Sequence, residues 1–418
     1  MDLQAKHLKA LNKLVGEIAS TNGFYSKKLQ ACGGADGFES LEAYSRLMPY
    51  TTKSELAADH VENPPYGTNL TYPIDQYTRL HQTSGTTGSP MAWLDSPKDW
   101  QWVLDNWKTV WIECGAKPGD TAIFPFSFGP FLGFWAAFEA GVQAGIRCLP
   151  AGGQTSLQRL KMIFRYKPEW ICCTPTYALH LSGVASQEGL DLSTSSVCGI
   201  IVGGEPGGSI PEVRERIETG WGGARVFDHH GMTEVGPVTY SDMDDPDLLR
   251  IVHDTYLAEV VDRETDKPVP YCEVGELILT TLGRAGCPLL RYRTGDLVRP
   301  VAVPGEDPTA FALQGGILGR ADDMVVVRGV NLYPSAIDAV VRSFDGIGEY
   351  QVTIDQTQLM VQVSIAAENE SGGSDDVLIE KFEKQLREAF SLRIPVSVSA
   401  PGSLPRFEMK ARRWNVIG

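Results

Sequence analysis

A short loop rich in serine, threonine and glycine occupies residues 83–90, with the sequence TSGTTGSP. Its glycines let the backbone bend and approach a ligand without a Cβ in the way. Its hydroxyls lie among backbone N–H groups, and such a nest suits a chain of phosphates. It is not a Walker A loop, because it has no G-K-[ST] sequence. Taken alone, the loop is more often a plain polar turn. The residues in question are Ser84, Gly85, Thr86, Thr87 and Gly88.

Further segments carry groups that could bind a nucleotide and a metal. They are VGGEP at 202–206, HHGMTEVG at 229–236, RYRTGDL at 291–297 and LGRADDMVVVRG at 318–329. A carboxylate such as Glu234 is a ligand that Mg²⁺ prefers, and one such as Asp296 accepts strong hydrogen bonds from a diol. In isolation, Glu234 is also explained as a surface glutamate and Asp296 as a turn residue.

Composition limits the function classes. The chain has 418 residues, with 37 Lys plus Arg against 52 Asp plus Glu, so its formal charge is −15. This acidity argues against non-specific nucleic-acid binding, which needs a basic surface. The longest apolar stretch, 128–146, contains Glu139, Gln143 and several glycines, which favours a buried helix over a membrane span. The eight cysteines form no C-x-x-C pair, and we expect a cytoplasmic protein without a disulfide framework.

Patterning indicates which elements position these groups. The first 75 residues have helical periodicity. From about 98 to 230, helical segments alternate with short apolar runs, which predicts βα units and a sheet covered by helices. Strands and turns follow from about 250 to 330, and then a smaller α+β unit. We therefore predict an α/β protein with two domains, residues 1–321 and 322–418.

In this order, the motifs resemble the adenylate-forming superfamily of acyl-CoA synthetases, adenylation domains and luciferases. The resemblance is closest to its phenylacetate-CoA ligase-like branch. GRADDMVVVRGVNLYPSAID resembles that branch's hinge region, and LPRFEMKARR at 404–413 resembles its catalytic-lysine segment. The resemblance covers essentially the whole chain. It implies a large multi-sheet N-terminal adenylate-forming domain and a small mobile α+β C-terminal domain.

The resemblance also implies an activity. ATP and a carboxylic acid, here an aryl or arylacetic acid, give an acyl-adenylate and pyrophosphate, and coenzyme A then takes the acyl group. The implied cofactors are ATP, Mg²⁺ and coenzyme A. The implied catalytic roles are Lys410 bridging the carboxylate and the α-phosphate, Thr233 donating to that phosphate and Glu234 holding Mg²⁺. The implied nucleotide-binding residues are Ser84, Gly85, Thr86, Thr87, Gly88, Gly204, Glu205, Pro206, His230, Asp296 and Arg320. The implied pivot between domains is Asp322, and the implied acid pocket is Phe126, Phe128, Phe131 and Gly203.

The chain departs from the branch in three ways. Ser89 stands where a lysine commonly follows GTTG, so one phosphate-binding charge is missing. His230 stands where a tyrosine commonly precedes GMTE; an imidazole can still stack on adenine, with less area. His253 and Cys287 alone do not make the zinc-like cluster of some relatives, and we predict no structural zinc.

Two alternatives stay open from sequence. One is a stand-alone adenylation enzyme that loads a carrier-protein thiol. The other is a non-catalytic relative that binds a nucleotide or acyl-adenylate. The sequence names neither the acid nor the oligomeric state, for which a homodimer is the family expectation.

Overall fold

The computed structural model describes residues 2–83, 90–321, 325–327, 330–357, 361–407 and 411–417. Several predicted site residues lie outside these ranges: Ser84, Gly85, Thr86, Thr87, Gly88, Asp322 and Lys410. Their roles therefore stay predictions, as does a domain boundary at residue 322.

Helices dominate the N-terminal segment, as its periodicity predicted. They are α1 (Leu3–Ile18), α2 (Tyr25–Ala31), α3 (Leu41–Leu47) and α4 (Lys53–Glu62), followed by a 3₁₀ turn at Ile74–Gln76. Helix α4 begins with a capping box, in which Thr52 and Glu55 satisfy each other's backbone N–H groups. This cap fixes the start of α4 and therefore the position of Lys53, its first residue.

A hairpin carries the Ser/Thr/Gly loop. Its strands are β1 (Arg79–Gln82) and β2 (Ala92–Asp95), which pair antiparallel from Arg79↔Asp95 to Gln82↔Ala92. The backbone N–H groups of Thr83 and Met91 close the loop, donating at 3.0 Å to Met91 O and to Thr83 Oγ1.

The predicted βα alternation forms a five-stranded parallel sheet. In chain order the elements are α5 (Pro97–Glu113), β3 (Thr121–Phe124), α6 (Leu132–Gln143), β4 (Arg147–Pro150), α7 (Ser156–Tyr166), β5 (Trp170–Cys173), α8 (Pro175–Gln187), a 3₁₀ turn at Leu192–Thr194, β6 (Gly199–Gly203), α9 (Pro211–Gly220) and β7 (Arg225–His229). The strand order is β4-β3-β5-β6-β7, so the chain reverses direction across the sheet between β3 and β5. Helices α5 and α6 pack on one face and α7, α8 and α9 on the other. Ligands of such sheets bind at the carboxyl ends of the strands, beside this reversal.

Two antiparallel sheets follow. Their strands, with a small β8–β9 hairpin, are β8 (Gly231–Met232), β9 (Gly236–Pro237), β10 (Thr239–Ser241), β11 (Leu248–Ile251), β12 (Tyr256–Val261), β13 (Gly275–Thr281), β14 (Tyr292–Val298), β15 (Pro300–Ala302), β16 (Phe311–Gln314) and β17 (Gly319–Arg320). The sheet orders are β10-β11-β16-β15 and β12-β13-β14-β17. They share one apolar core with Leu56 of α4.

The C-terminal unit has a core of its own. Its elements are β18 (Val325–Val327), β19 (Val330–Leu332), α10 (Pro334–Ser343), β20 (Ile347–Asp355), β21 (Gln362–Asn369), α11 (Asp375–Phe390), β22 (Val396–Ser399) and β23 (Trp414–Ile417). Strands β22-β21-β20-β23 form a sheet on which α10 and α11 pack. The structure thus confirms the α/β class with a small α+β unit. Among the described residues, no helix is long and apolar enough to cross a bilayer.

Candidate active site

Three predicted motifs meet at one edge of the parallel sheet. Strands β5, β6 and β7 are parallel neighbours, and their carboxyl ends lead directly into 174–176, 204–206 and 230–234. The structure therefore brings Gly203, Glu205 and His230 to the edge where ligands of such sheets bind.

Glycine is required at the end of β6. A Cβ on Gly203 would lie 2.7 Å from the carbonyl oxygen of His229, and Gly204 has φ +87°. A side chain would clash at the first position and strain the backbone at the second. Backbone groups of β6 thus lie open at this edge.

Asp296 lies at the centre of a polar cluster. Strands β14 and β17 pair with Asp296 opposite Arg320, and Arg320 Nη1 donates to Asp296 Oδ1 at 3.2 Å. His230 Nε2 lies 3.0 Å from Asp296 Oδ2 without hydrogen-bond geometry, and among the described residues neither atom has a hydrogen-bond partner. Asp296 is only 2% exposed. Buried polar atoms are normally bonded, so Asp296 Oδ2 has free acceptor capacity, as the predicted ribose contact requires.

Glu234 fits a metal site. The residue is 3% exposed, and its Oε1 has no hydrogen-bond partner among the described residues. A cation lies close by: Lys53 Nζ is 3.4 Å from that oxygen. Thr51, bridged to Tyr292 of β14, brings the start of α4 to this position. Within the described ranges no three His, Cys, Asp or Glu residues cluster, so Mg²⁺ would be held by Glu234 with phosphate oxygens and water.

A buried ion pair between Arg284 and Asp95 holds the backbone of Thr233 and Glu234. Arg284 Nη1 donates to the carbonyl oxygens of Thr233 (3.0 Å) and Glu234 (2.9 Å). Its Nε and Nη2 donate to the Asp95 carboxylate at 2.6 and 2.7 Å. Burial opposes the charge on both partners, but their mutual attraction outweighs it, raising the pKa of Arg284 and lowering the pKa of Asp95. Because Asp95 ends the hairpin that carries the Ser/Thr/Gly loop, this pair joins two nucleotide motifs.

The Glu205 side chain is bonded to protein. Its carboxylate accepts the backbone N–H groups of Thr176 (2.9 Å) and Ala411 (2.7 Å). Arg413 Nη1 donates to Thr176 Oγ1 at 3.3 Å. The C-terminal segment that contains the predicted catalytic lysine therefore touches the edge of the sheet.

The predicted acid pocket follows β3. Phe126 is buried, with its ring stacked on Phe134 at 4.2 Å between centroids. Phe128 and Phe131 are partly buried, and Phe128 lies 4.9 Å from the ring of Trp135. Gln82 N donates to Pro130 O at 2.7 Å, which places this aromatic segment beside the hairpin of the Ser/Thr/Gly loop.

His229 occupies the same edge. Its Nδ1 lies 2.6 Å from the Thr239 carbonyl oxygen and must donate to it, because a carbonyl only accepts. The ring lies 4.2 Å from that of Trp107, between centroids. Burial lowers the pKa of His229 to about 4, so the imidazole is neutral near pH 7.

Sequence reasoning missed several residues that the structure brings to the site: Lys53, Asp95, Thr176, His229, Arg284 and Arg413. His229 and Arg413 lie inside recognised motifs, at 229–236 and 404–413, and so carried a usable signal. The other four come from segments whose local pattern is that of ordinary helix starts and strand ends.

Comparisons with known proteins show which family the chain belongs to. Residues 55–284 match the family of AMP-binding enzymes, and residues 329–415 match the AMP-binding enzyme C-terminal domain. A phenylacetate-coenzyme A ligase of Thermus thermophilus is 30% identical over 428 residues, covering 97% of this chain and 94% of that protein.

Solved structures of a 2-hydroxyisobutyryl-CoA ligase show that enzyme in two different states. Its postadenylation state with 2-HIB-AMP superposes with a TM-score of 0.92, at 27% identity, covering 99% of this chain and 89% of that one. Its thioesterification state with 2-HIB-AMP and CoA gives a TM-score of 0.72, at 28% identity and the same coverages. Because both structures are of the same enzyme, the difference in TM-score reflects how its parts are arranged. This chain has the arrangement of the postadenylation state. The chain belongs to the adenylate-forming superfamily, in its phenylacetate-CoA ligase-like branch, and is an AMP-forming acid–coenzyme A ligase.

Proposed function

We propose that the protein activates an aryl or arylacetic acid and transfers it to coenzyme A. The observation that carries the site assignment is a set of buried polar atoms that have no hydrogen-bond partner among the described residues: Glu234 Oε1, His230 Nε2 and Asp296 Oδ2. Buried atoms of this kind need partners, and a nucleotide with its metal supplies them. The aromatic segment after β3 supports a flat apolar acid, because such pockets are mostly apolar and aromatic.

In the first half-reaction, a carboxylate oxygen attacks the α-phosphorus of ATP, and the bond to pyrophosphate breaks. Asp296 accepts the ribose hydroxyls, Thr233 donates to the α-phosphate and Lys410 bridges the two reacting anions. Glu234 would hold Mg²⁺, which would supply positive charge against the phosphates. Positioning and charge neutralisation are what such an in-line displacement needs.

In the second half-reaction, the thiol sulfur attacks the acyl carbon, its proton is lost to solvent and AMP leaves. The resemblance implies that the C-terminal unit turns about Asp322 between the steps, bringing the Arg328–Gly329 segment, which lies outside the described ranges, toward the thiol. The homodimer stays a prediction, which sedimentation would test.

A carboxylic-acid panel with pyrophosphate release as the readout tests the acid. We expect aryl and arylacetic acids to give the highest kcat/KM, and consumption of coenzyme A to match pyrophosphate release. A better rate with 2-hydroxyisobutyrate would replace the aromatic assignment. Pyrophosphate release without consumption of coenzyme A would point to a carrier-protein thiol.

A further inference from the structure

The Glu205 carboxylate connects two parts of the molecule that are distant in sequence. One oxygen accepts the N–H of Thr176, in the first turn of α8, and the other accepts the N–H of Ala411, from the C-terminal segment. The first bond fixes the side chain to the N-terminal domain. The second oxygen is thereby presented to the C-terminal unit, and hydrogen bonds to an ionised acceptor are the strong ones.

The position of Ala411 gives this contact its functional meaning. Ala411 directly follows Lys410 in the sequence, so a bond to its N–H restrains the chain one residue from the predicted catalytic lysine. A carboxylate that only capped α8 would need no partner in the C-terminal unit.

A second contact, from Arg413, joins the two units beside the Glu205–Ala411 bond. Arg413 pairs with both carboxylate oxygens of Glu349 in β20, at 2.6 and 3.1 Å, and donates to Thr176 Oγ1 at 3.3 Å. Thr176 is thus bonded to Glu205 through its N–H and to Arg413 through its hydroxyl. Only two of these bonds cross between the units and so depend on their present arrangement: Ala411 N–H to Glu205 and Arg413 to Thr176.

That arrangement resembles the postadenylation state of a relative, and we assign it to the first half-reaction. The chain superposes closely on a relative in its postadenylation state and much less well on the same relative in its thioesterification state. We expect a turn of the C-terminal unit toward the thioesterification arrangement to carry Ala411 away from α8 and break the bond.

We propose that Glu205 is a positioning residue that latches the Lys410 segment in the adenylation arrangement and releases it for thioester formation. The inference rests on the proposed function, because it assumes that Lys410 serves only the first half-reaction. It assigns the carboxylate of Glu205 to Thr176 and the C-terminal segment, so that of the predicted nucleotide contact only the Glu205 backbone is left.

Glu205→Gln tests the latch. Glutamine keeps one acceptor oxygen, so it cannot accept hydrogen bonds from both N–H groups in this geometry. Its amide NH₂, a donor, would face one of them. We expect adenylation to slow roughly tenfold, as for loss of a hydrogen bond to a charged group. Thioester formation from supplied acyl-adenylate should be unchanged or faster, and the KM for ATP unchanged.

Glu169→Gln is the matched control. Glu169 also accepts a backbone N–H, from Thr121 at 2.7 Å, but within the N-terminal domain. We expect it to alter the two half-reactions equally or not at all. An equal loss of both half-reactions in Glu205→Gln, or a loss confined to the KM for ATP, would overturn the latch.

Two further measurements separate failure of the latch from failure of the proposed Lys410 role and from misfolding of the variant. If Lys410→Ala fails to separate the half-reactions, the proposed role of Lys410 fails, whatever Glu205→Gln does. If Glu205→Gln folds poorly, Glu205→Asp, whose shorter carboxylate cannot reach both N–H groups, replaces it. Trypsin cleavage after the exposed Arg412 should then be faster than in the parent, and unchanged cleavage would refute the latch.

Discussion

Replacing Arg284 by methionine should destabilise the predicted nucleotide site, although Arg284 is assigned no direct contact with the ligand. Arg284 and Asp95 are both 0% exposed and share two hydrogen bonds, so the variant leaves the Asp95 charge buried without its partner. Removing one partner of such a pair costs about 3–5 kcal/mol. At about 2 °C per kcal/mol for a large domain, the melting temperature should fall by about 6–10 °C.

Activity should fall for a separate reason. The carbonyl oxygens of Thr233 and Glu234 lose their donor, so the segment that should hold phosphate and metal loses its support. The double variant Asp95→Leu with Arg284→Met removes both charges and should regain most of the melting temperature. It should not regain adenylation, because those two carbonyl groups still lack a donor.

The assays are thermal unfolding and pyrophosphate release. Lys108→Met is the control, because Lys108 pairs with Asp105 on an exposed helix surface, where a pair contributes about 0–1 kcal/mol. An Arg284→Met protein that melts like the control would refute the energetic argument. A double variant with full adenylation would refute the positioning argument.

The other predictions concern single groups. Lys410→Ala should lose adenylation but keep thioester formation from supplied acyl-adenylate; equal loss of both would remove its assigned role. In magnesium titrations of pyrophosphate release, Glu234→Gln should raise the half-saturating concentration. Lys53→Met should lower it, because Lys53 Nζ competes for the same oxygen; an increase would instead place Lys53 on the phosphates. Asp296→Asn should raise the KM for ATP more than it lowers kcat, and a pure kcat effect would contradict a ribose contact. Below pH 6.5 the unfolded chain protonates His229 while the folded chain resists until about pH 4, so stability should fall over that interval, and less steeply in His229→Phe.

Much of the fold was predictable because local patterns determine it. Period-3.6 apolar spacing marked α5 and α11, and short apolar runs between helices marked the parallel strands. The capping box at Ser96 and the proline beside it mark the start of α5 in the same local way. Such signals lie within one turn or one strand of the element that they specify.

The site was less predictable because its supports are separated widely along the chain. Asp95 and Arg284 lie 189 residues apart, and Glu205 and Ala411 lie 206 apart. No local pattern encodes such a pair, since each partner looks like an ordinary charged or loop residue until the topology joins them. In the aromatic run 124–138, density alone could not say that Phe126 packs in the core while Phe128 and Phe131 stay partly open.

The reversal of strand order between β3 and β5 has a consequence for how this enzyme can change. On the proposed function, the aromatic wall of the acid pocket comes from 125–131, on one side of the reversal, whereas Gly203 of that pocket and the nucleotide-facing groups after β6 and β7 lie on the other. The aromatic wall and the nucleotide-facing groups are encoded by separate stretches of sequence and rest on different strands. Evolution or an engineer can therefore exchange the acid-facing stretch, and with it the substrate, while the energy-coupling chemistry is inherited unchanged.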